Sequence, residues 1–204
     1  EAFCSSQSRK EGLNGVRNLP YSLISDLEKV ATKSNPPVHL WHPDSEKSID
    51  LVIKENGAWE YEGSPITRPR LVRLFSSVLR REGDNYYLVT PVEKCAIRVE
   101  DVPFEIVLME SSGEGTNREI SMTTSTGDKF LVDETHPLAL KRYGSDIFPY
   151  VFVRDHMEGR LNRNVYYQLA EFFEEPKNTG EENPLTQFWS CRKLFSLKEP
   201  DATG

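Results

Sequence analysis

Ile49-Asp50-Leu51-Val52-Ile53-Lys54-Glu55-Asn56-Gly57-Ala58-Trp59-Glu60-Tyr61 is the stretch on which the fold turns. Ile49, Leu51 and Ile53 alternate with their neighbours, Asn56-Gly57 tolerates the positive φ of a tight turn, and Trp59 and Tyr61 resume the alternation. That pattern is a β-hairpin. Gly63-Ser64-Pro65 breaks the second strand, and Thr67 is a candidate N-cap. Leu71, Val72, Phe75, Val78 and Leu79 then recur at helical spacing. The spacing predicts a helix from Pro69 to Arg81, closed by Gly83-Asp84-Asn85.

On the N-terminal side, residues 1–19 are polar and without period, which predicts a disordered arm. Leu23, Ile24, Leu27, Val30 and Ala31 share one helical face, and Asn35-Pro36-Pro37 stops that helix. On the C-terminal side, residues 86–110 read as strands, with Cys95, Ile97 and Val99 alternating. A second hairpin joins Ile120 and Met122 to Phe130 and Val132 through Thr126-Gly127-Asp128. Tyr150–Val153 is a further strand, and Asn162 caps a helix carrying Val165, Tyr166, Leu169, Phe172 and Phe173. An acidic linker over 174–184 follows, and Leu185–Leu197 packs back as one last strand. The expected division is an arm (1–19), an N-terminal α+β unit (20–105), a C-terminal unit (106–198) and a tail (199–204).

The chain of 204 residues carries 25 basic and 32 acidic side chains, a net charge of −7. That balance argues against a nucleic-acid partner. No apolar run is long enough to span a membrane, so none is expected as a partner. Cys4, Cys95 and Cys191 form no Cys-x-x-Cys motif, which fits a reducing, cytoplasmic compartment. His39-x-x-His42-x-Asp44 lacks a third spaced ligand, so neither a metal nor a cofactor is expected.

Two segments share a plan of apolar strand, glycine turn, short strand, polar cap, arginine and amphipathic helix. Ile49–Ile53 leads through Gly57 to Ile66-Thr67-Arg68, and Tyr150–Val153 leads through Gly159 to Leu161-Asn162-Arg163. The expected fold is α+β, mostly antiparallel, built from two related hairpin-plus-helix units. Arg68 and Arg163 are the foremost site candidates, because helix starts favour anions and guanidinium forks suit phosphate or carboxylate. The plainer alternative pairs each arginine with an acidic neighbour. Tyr61, Gly63 and Ser64 form the turn before the first of these helices, where backbone approaches a ligand closely and a hydroxyl donates. Tyr87 and Tyr166 offer aromatic faces for stacking, against the alternative that they are core. Arg70, Arg73, Arg80 and Arg81 form a basic stripe on the predicted helix, suited to an acidic protein partner or to solvent alone.

Gly57-x-Trp59-x-Tyr61-x-Gly63-Ser64-Pro65-Ile66-x-Arg68, with Tyr86-Tyr87-Leu88-Val89-Thr90-Pro91-Val92-Glu93 and Val99-Glu100-Asp101-x-Pro103-Phe104, resembles the bacterial domain-of-unknown-function family 1285. Trp189-Ser190 with Phe195-x-Leu197 is similar to its closing segment. The resemblance implies a duplicated α+β protein with a pleckstrin-homology-like C-terminal half. It also implies a role in signal transduction, with a nucleotide-like ligand between the halves and no established catalysis. Thr90 and Glu93 are also counted among the ligand-binding candidates, Glu93 being equally suited to pair with Arg68 or, with Asp101, to acid-base work in an enzyme. The reading is a non-enzymatic module for a small anionic ligand; the alternative is a protein-interaction adaptor.

Overall fold

The computed structural model describes residues 36–174, 186–198 and 200. The expected arm, the helix over 23–31 and most of the acidic linker and tail lie outside the described residues. The backbone divides into two units. Of the described residues, unit 1 takes 36–52 together with Ala58–Arg98, and unit 2 takes Ile53–Gly57 and those from Val99 on.

Unit 1 is built on β1 (Ser45–Ile53), β2 (Trp59–Tyr61), β3 (Ser64–Pro65), β4 (Leu79–Glu82), β5 (Asn85–Val89) and β6 (Glu93–Val99). One helix, α1 (Pro69–Ser77), joins β3 to β4. The sheet order is β3-β2-β1-β6-β5-β4. Leu51, Trp59, Phe75, Val78, Leu79, Leu88 and Cys95 fill its core. Phe75 of α1 stacks on Trp59 at 6.3 Å between ring centroids.

The helix is shorter than its periodicity predicts. It ends at Ser77, and Leu79–Glu82 pairs with β5 instead, Leu79 opposite Leu88 and Glu82 opposite Asn85. Adjacent buried residues such as Val78 and Leu79 satisfy a helix face and a strand end equally well, so spacing could not separate the two. Gly83, at φ +60°, serves the β4–β5 turn rather than a helix end. At the other end Arg68, not Thr67, is the N-cap. Pro69 disfavours helical backbone in the residue before it, and Arg68 is extended at φ −91°, ψ 107°.

Unit 2 contains β7 (Phe104–Ser112), β8 (Glu119–Thr124), β9 (Lys129–Leu131), β10 (Leu138–Tyr143), β11 (Asp146–Arg154) and β12 (Met157–Leu161). After them come α2 (Arg163–Ala170), β13 (Thr186–Ser190) and β14 (Lys193–Leu197). The sheet order is β10-β11-β12-β7-β8-β9, with β13-β14 as a separate pair. Its central pair, β12 and β7, runs parallel, with Gly159 opposite Phe104. Laid flat, six strands would hold the outer two about 24 Å apart. Only residues 132–137 link β9 to β10, and they fold back in a turn, with His136 N–H donating to the Asp133 carbonyl at 3.2 Å. The sheet must therefore curl. Arg154 of β11 accordingly pairs with Asp128, just before β9, at 2.9 Å.

The two sheets repeat one plan. In each, three strands run outward from the centre, the chain crosses, and three more return so that the last strand lies beside the first. The duplicated element is thus six strands, not the hairpin-plus-helix unit expected from sequence. α1 falls between the third and fourth strands of its sheet, whereas α2 follows the sixth. Arg68 and Arg163 are therefore not equivalent positions. Gly159 is not a turn glycine either: it sits within β12, and the turn is made by Asp155 and His156 at φ 48° and 61°.

The closing segment also differs from its expected single strand. It is a hairpin, Thr186 opposite Leu197, turned at Cys191-Arg192. The hairpin packs Phe188 against Phe195 at 5.3 Å, and Phe188, Phe195 and Leu197 are buried. Among the described residues no helix is long and apolar enough to cross a membrane.

Candidate functional site

Tyr61 pairs with Ser64 across a two-residue turn, Glu62 and Gly63, both at positive φ. That turn type needs left-handed backbone at both central positions, and glycine takes one of them without steric cost. Ile66 N–H then donates to the Trp59 carbonyl at 2.7 Å and buries its side chain, which delivers Thr67 and Arg68 to the surface. Arg68 carries no side-chain capping bond, and the first turn of α1 holds no acidic residue. Arg70 and Arg73 are exposed on the same short helix. None of these three guanidiniums has an ion pair or side-chain hydrogen bond among the described residues. Cations elsewhere in unit 1 differ: Lys47 meets Glu93 at 2.6 Å and Lys94 meets Glu46 at 3.0 Å. Arg80 belongs with the latter, on β4, paired to Glu82 and donating to the Val38 and Trp41 carbonyls. The predicted four-arginine stripe is therefore not one helix face.

Arg163 is the first helical residue of α2, in unit 2. Asn162 caps that helix, its side-chain oxygen accepting from Val165 N–H at 2.9 Å. Arg163 is exposed and has no partner among the described residues. Tyr166 packs edge-on against Phe173 at 6.0 Å. Its neighbour Tyr167 is the exposed ring of the pair, at 61%.

Thr90 and Glu93 serve the β5–β6 turn. The buried Thr90 hydroxyl accepts from Val92 and Glu93 N–H groups, at 3.3 and 3.0 Å. Glu93 turns toward Lys47 of β1, and its second oxygen, Oε1, is buried without a hydrogen-bond partner. Burial pushes the Cys95 thiol up to about 11, and the Glu93 carboxylate adds to the effect. Burial also raises the Tyr61 phenol, with the Glu62 charge acting the same way. Lys47 is the member of this group that reading the sequence missed. The signal was present, because the alternation of Ile53, Leu51 and Ile49 continues backward to Lys47. Tyr87 has one face covered, with Lys94 Nζ 4.3 Å from its ring centroid.

Unit 2 has a polar cluster of its own. The Tyr150 hydroxyl donates to both Asp101 oxygens at 3.0 and 2.9 Å, and Arg160 pairs with the same carboxylate at 3.1 Å. Phe148 and Tyr143 flank that guanidinium, 4.5 and 5.7 Å from it. Burial raises Asp101, against the pull of Tyr150 and Arg160, and it raises Tyr150 as well. Each member has partners, so this cluster holds unit 2 together. Among the described residues no group of three His, Cys, Asp or Glu side chains is placed to hold a metal ion.

Residues 36–102 match the N-terminal domain model of the domain of unknown function DUF1285, and residues 103–197 match the C-terminal domain model of that protein family. A crystal structure of a DUF1285 family protein from Silicibacter pomeroyi DSS-3 is 38% identical, with a TM-score of 0.76. The likeness covers 87% of this chain and 94% of that one. A second, from Shewanella baltica OS155, is 28% identical with a TM-score of 0.48, over 60% of this chain and 91% of that one. No curated protein matches. Two domain models in sequence, and a relative aligned over most of both chains, establish that the chain belongs to the DUF1285 family.

Proposed function

We infer that this protein is a non-enzymatic binding module of the signalling type, and that its ligand is small, anionic and nucleotide-like. The observation that carries the reading is the start of α1, where Arg68, Arg70 and Arg73 stand exposed and, among the described residues, without carboxylate partners in a chain of net charge −7. Acidic side chains are abundant, yet among the described residues none pairs with these three. Guanidinium forks beside a helix start suit the oxygens of a phosphate. The Tyr61–Ser64 turn immediately before them adds a ring and an exposed hydroxyl. Arg163 supplies the same chemistry from unit 2.

Calorimetric titration with a panel of nucleoside mono-, di- and triphosphates tests this. Arg68→Ala is expected to weaken binding by about tenfold or more, the usual order for losing a charge-assisted contact. Arg163→Ala reads the second determinant. A ligand that needs both arginines loses affinity in either variant, and a ligand of the α1 start alone ignores Arg163. Affinity unchanged in the Arg68, Arg70 and Arg73 variants would remove the proposed site.

A further inference from the structure

Residues 53–57, which run from the end of β1 into the turn before β2, belong to unit 2 and contain Asn56 followed directly by Gly57. Gly57 N–H donates to the Lys54 carbonyl at 2.9 Å and so closes the turn. Glu100 holds the same segment at three points. Its N–H donates to the Ile53 carbonyl at 2.9 Å, and its carboxylate accepts from Lys54 Nζ at 2.5 Å and from Glu55 N–H at 3.2 Å. Arg160 donates to the Glu55 carbonyl. Gly57 lies close against Glu105, since a β-carbon added there would stand 3.0 Å from both Glu105 Cβ and Oε2. Asn56 itself is exposed. A glycine after asparagine has no β-carbon to obstruct attack by its own nitrogen on the preceding side chain, so this pair is the most reactive of its kind.

We propose that Asn56 is a self-modification site, and that its conversion to isoaspartate unseats this turn. The Gly57 nitrogen loses its proton to solvent and bonds to Asn56 Cγ. The Cγ–Nδ2 bond breaks, and the amide nitrogen takes up a proton and leaves as ammonia. Water opens the resulting five-membered imide at either carbonyl. Opening at Cγ gives aspartate; opening at the main-chain carbonyl gives isoaspartate, whose chain runs through Cβ and Cγ and is one atom longer. Water is the one co-reactant, and nothing is oxidised or reduced. The attacking nitrogen is the one bonded to the Lys54 carbonyl, so the reaction waits on a local opening of the turn. The product fits the seat badly. Its added atom falls where Gly57 is already tight against Glu105, and its new carboxylate joins a turn that faces Glu100 and Glu105.

The test ages the full-length chain at mildly alkaline pH and follows its tryptic peptide 55–70 by mass spectrometry. The peptide is expected to gain the mass of an amide becoming a carboxylate and to split into two isomers on separation. The same peptide, excised beforehand, is expected to react at least about tenfold faster, because the folded turn must first open. Asn56→Gln cannot close a five-membered ring and is expected to abolish the gain. Amide exchange over 54–57 reads the consequence: the isoaspartyl protein is expected to lose about tenfold or more of its protection there. Asn56→Asp carries the new charge without the added atom and is expected to keep that protection. The proposal fails if the folded chain shows no gain at Asn56 once the excised peptide has fully converted. It fails equally if the isoaspartyl protein keeps the parent's protection, or if Asn56→Asp loses as much.

Discussion

A β-carbon added at Gly159 would stand 2.9 Å from Ile106 Cδ1 and 3.2 Å from both Phe104 Cβ and Val153 Cγ2. The residue is there because β12 lies beside β7 with no room for a side chain. Gly159→Ala is therefore expected to destabilise by about 2 kcal/mol, the middle of the range for overpacked cores, read as a lower urea midpoint. An unchanged midpoint would mean that β12 and β7 separate more easily than their packing indicates. Sequence reading took this glycine for a turn, and the reason is general. Glycine marks both a tight bend and a close approach of strands, and only the pairing distinguishes them. Gly57 is the opposite case, a turn glycine read as such, at φ +78°.

At the scale of elements, caps and alternation were legible and boundaries were not. Asn162 was readable as an N-cap because its short side chain reaches back to a free amide, here Val165 N–H at 2.9 Å. Asn162→Ala should cost about 1 kcal/mol, and the local amides of α2 should exchange faster with solvent before the sheet does. Loss confined to the sheet, with α2 protection intact, would contradict the capping role. The end of α1 was hidden because a strand recruits Leu79 through a partner nine residues onward, and that pairing leaves no trace in helical spacing. The last hairpin was hidden likewise: Cys191-Arg192 makes its turn without glycine, asparagine or proline, so the segment read as a single strand.

For the molecule as a whole, the duplication was visible but its unit was misjudged. Matching Arg68 to Arg163 compares a helix between the third and fourth strands with one after the sixth. Strand order carries the repeat, and strand order is a tertiary property. The candidate site divides the same way. Exposed arginines near the two helix starts could be read from helical spacing and charge, although the first cap was placed one residue early. The pairing of Lys47 with Glu93, by contrast, emerges only when β1 and β6 become neighbours.

Stability against pH is also a property of the whole fold, and Glu105 makes a test of it. Burial raises its carboxyl above the ordinary value, with Arg160 only partly offsetting this. A carboxyl raised in the folded state binds its proton more tightly there than in the unfolded chain. Its contribution is therefore most favourable at low pH and declines as pH rises from the unfolded value, about 4.3, through the folded one. Glu105→Gln mimics the protonated form. Its melting temperature should exceed that of the parent at pH 7, and the gap should shrink toward nothing near pH 4. A gap that grows on acidification would show that the Glu105 charge is supported rather than penalised.

Two of the hairpins are closed by pairs of non-glycine residues in left-handed backbone, Asp155-His156 and Cys191-Arg192, the second pair being the less tolerant of it. Each such position costs on the order of 1 kcal/mol relative to glycine. These corners hold an unused reserve of robustness. A lineage that acquired Asn-Gly at either corner could then absorb harmful replacements elsewhere, which makes both bends good places to begin when a sturdier version of this protein is wanted.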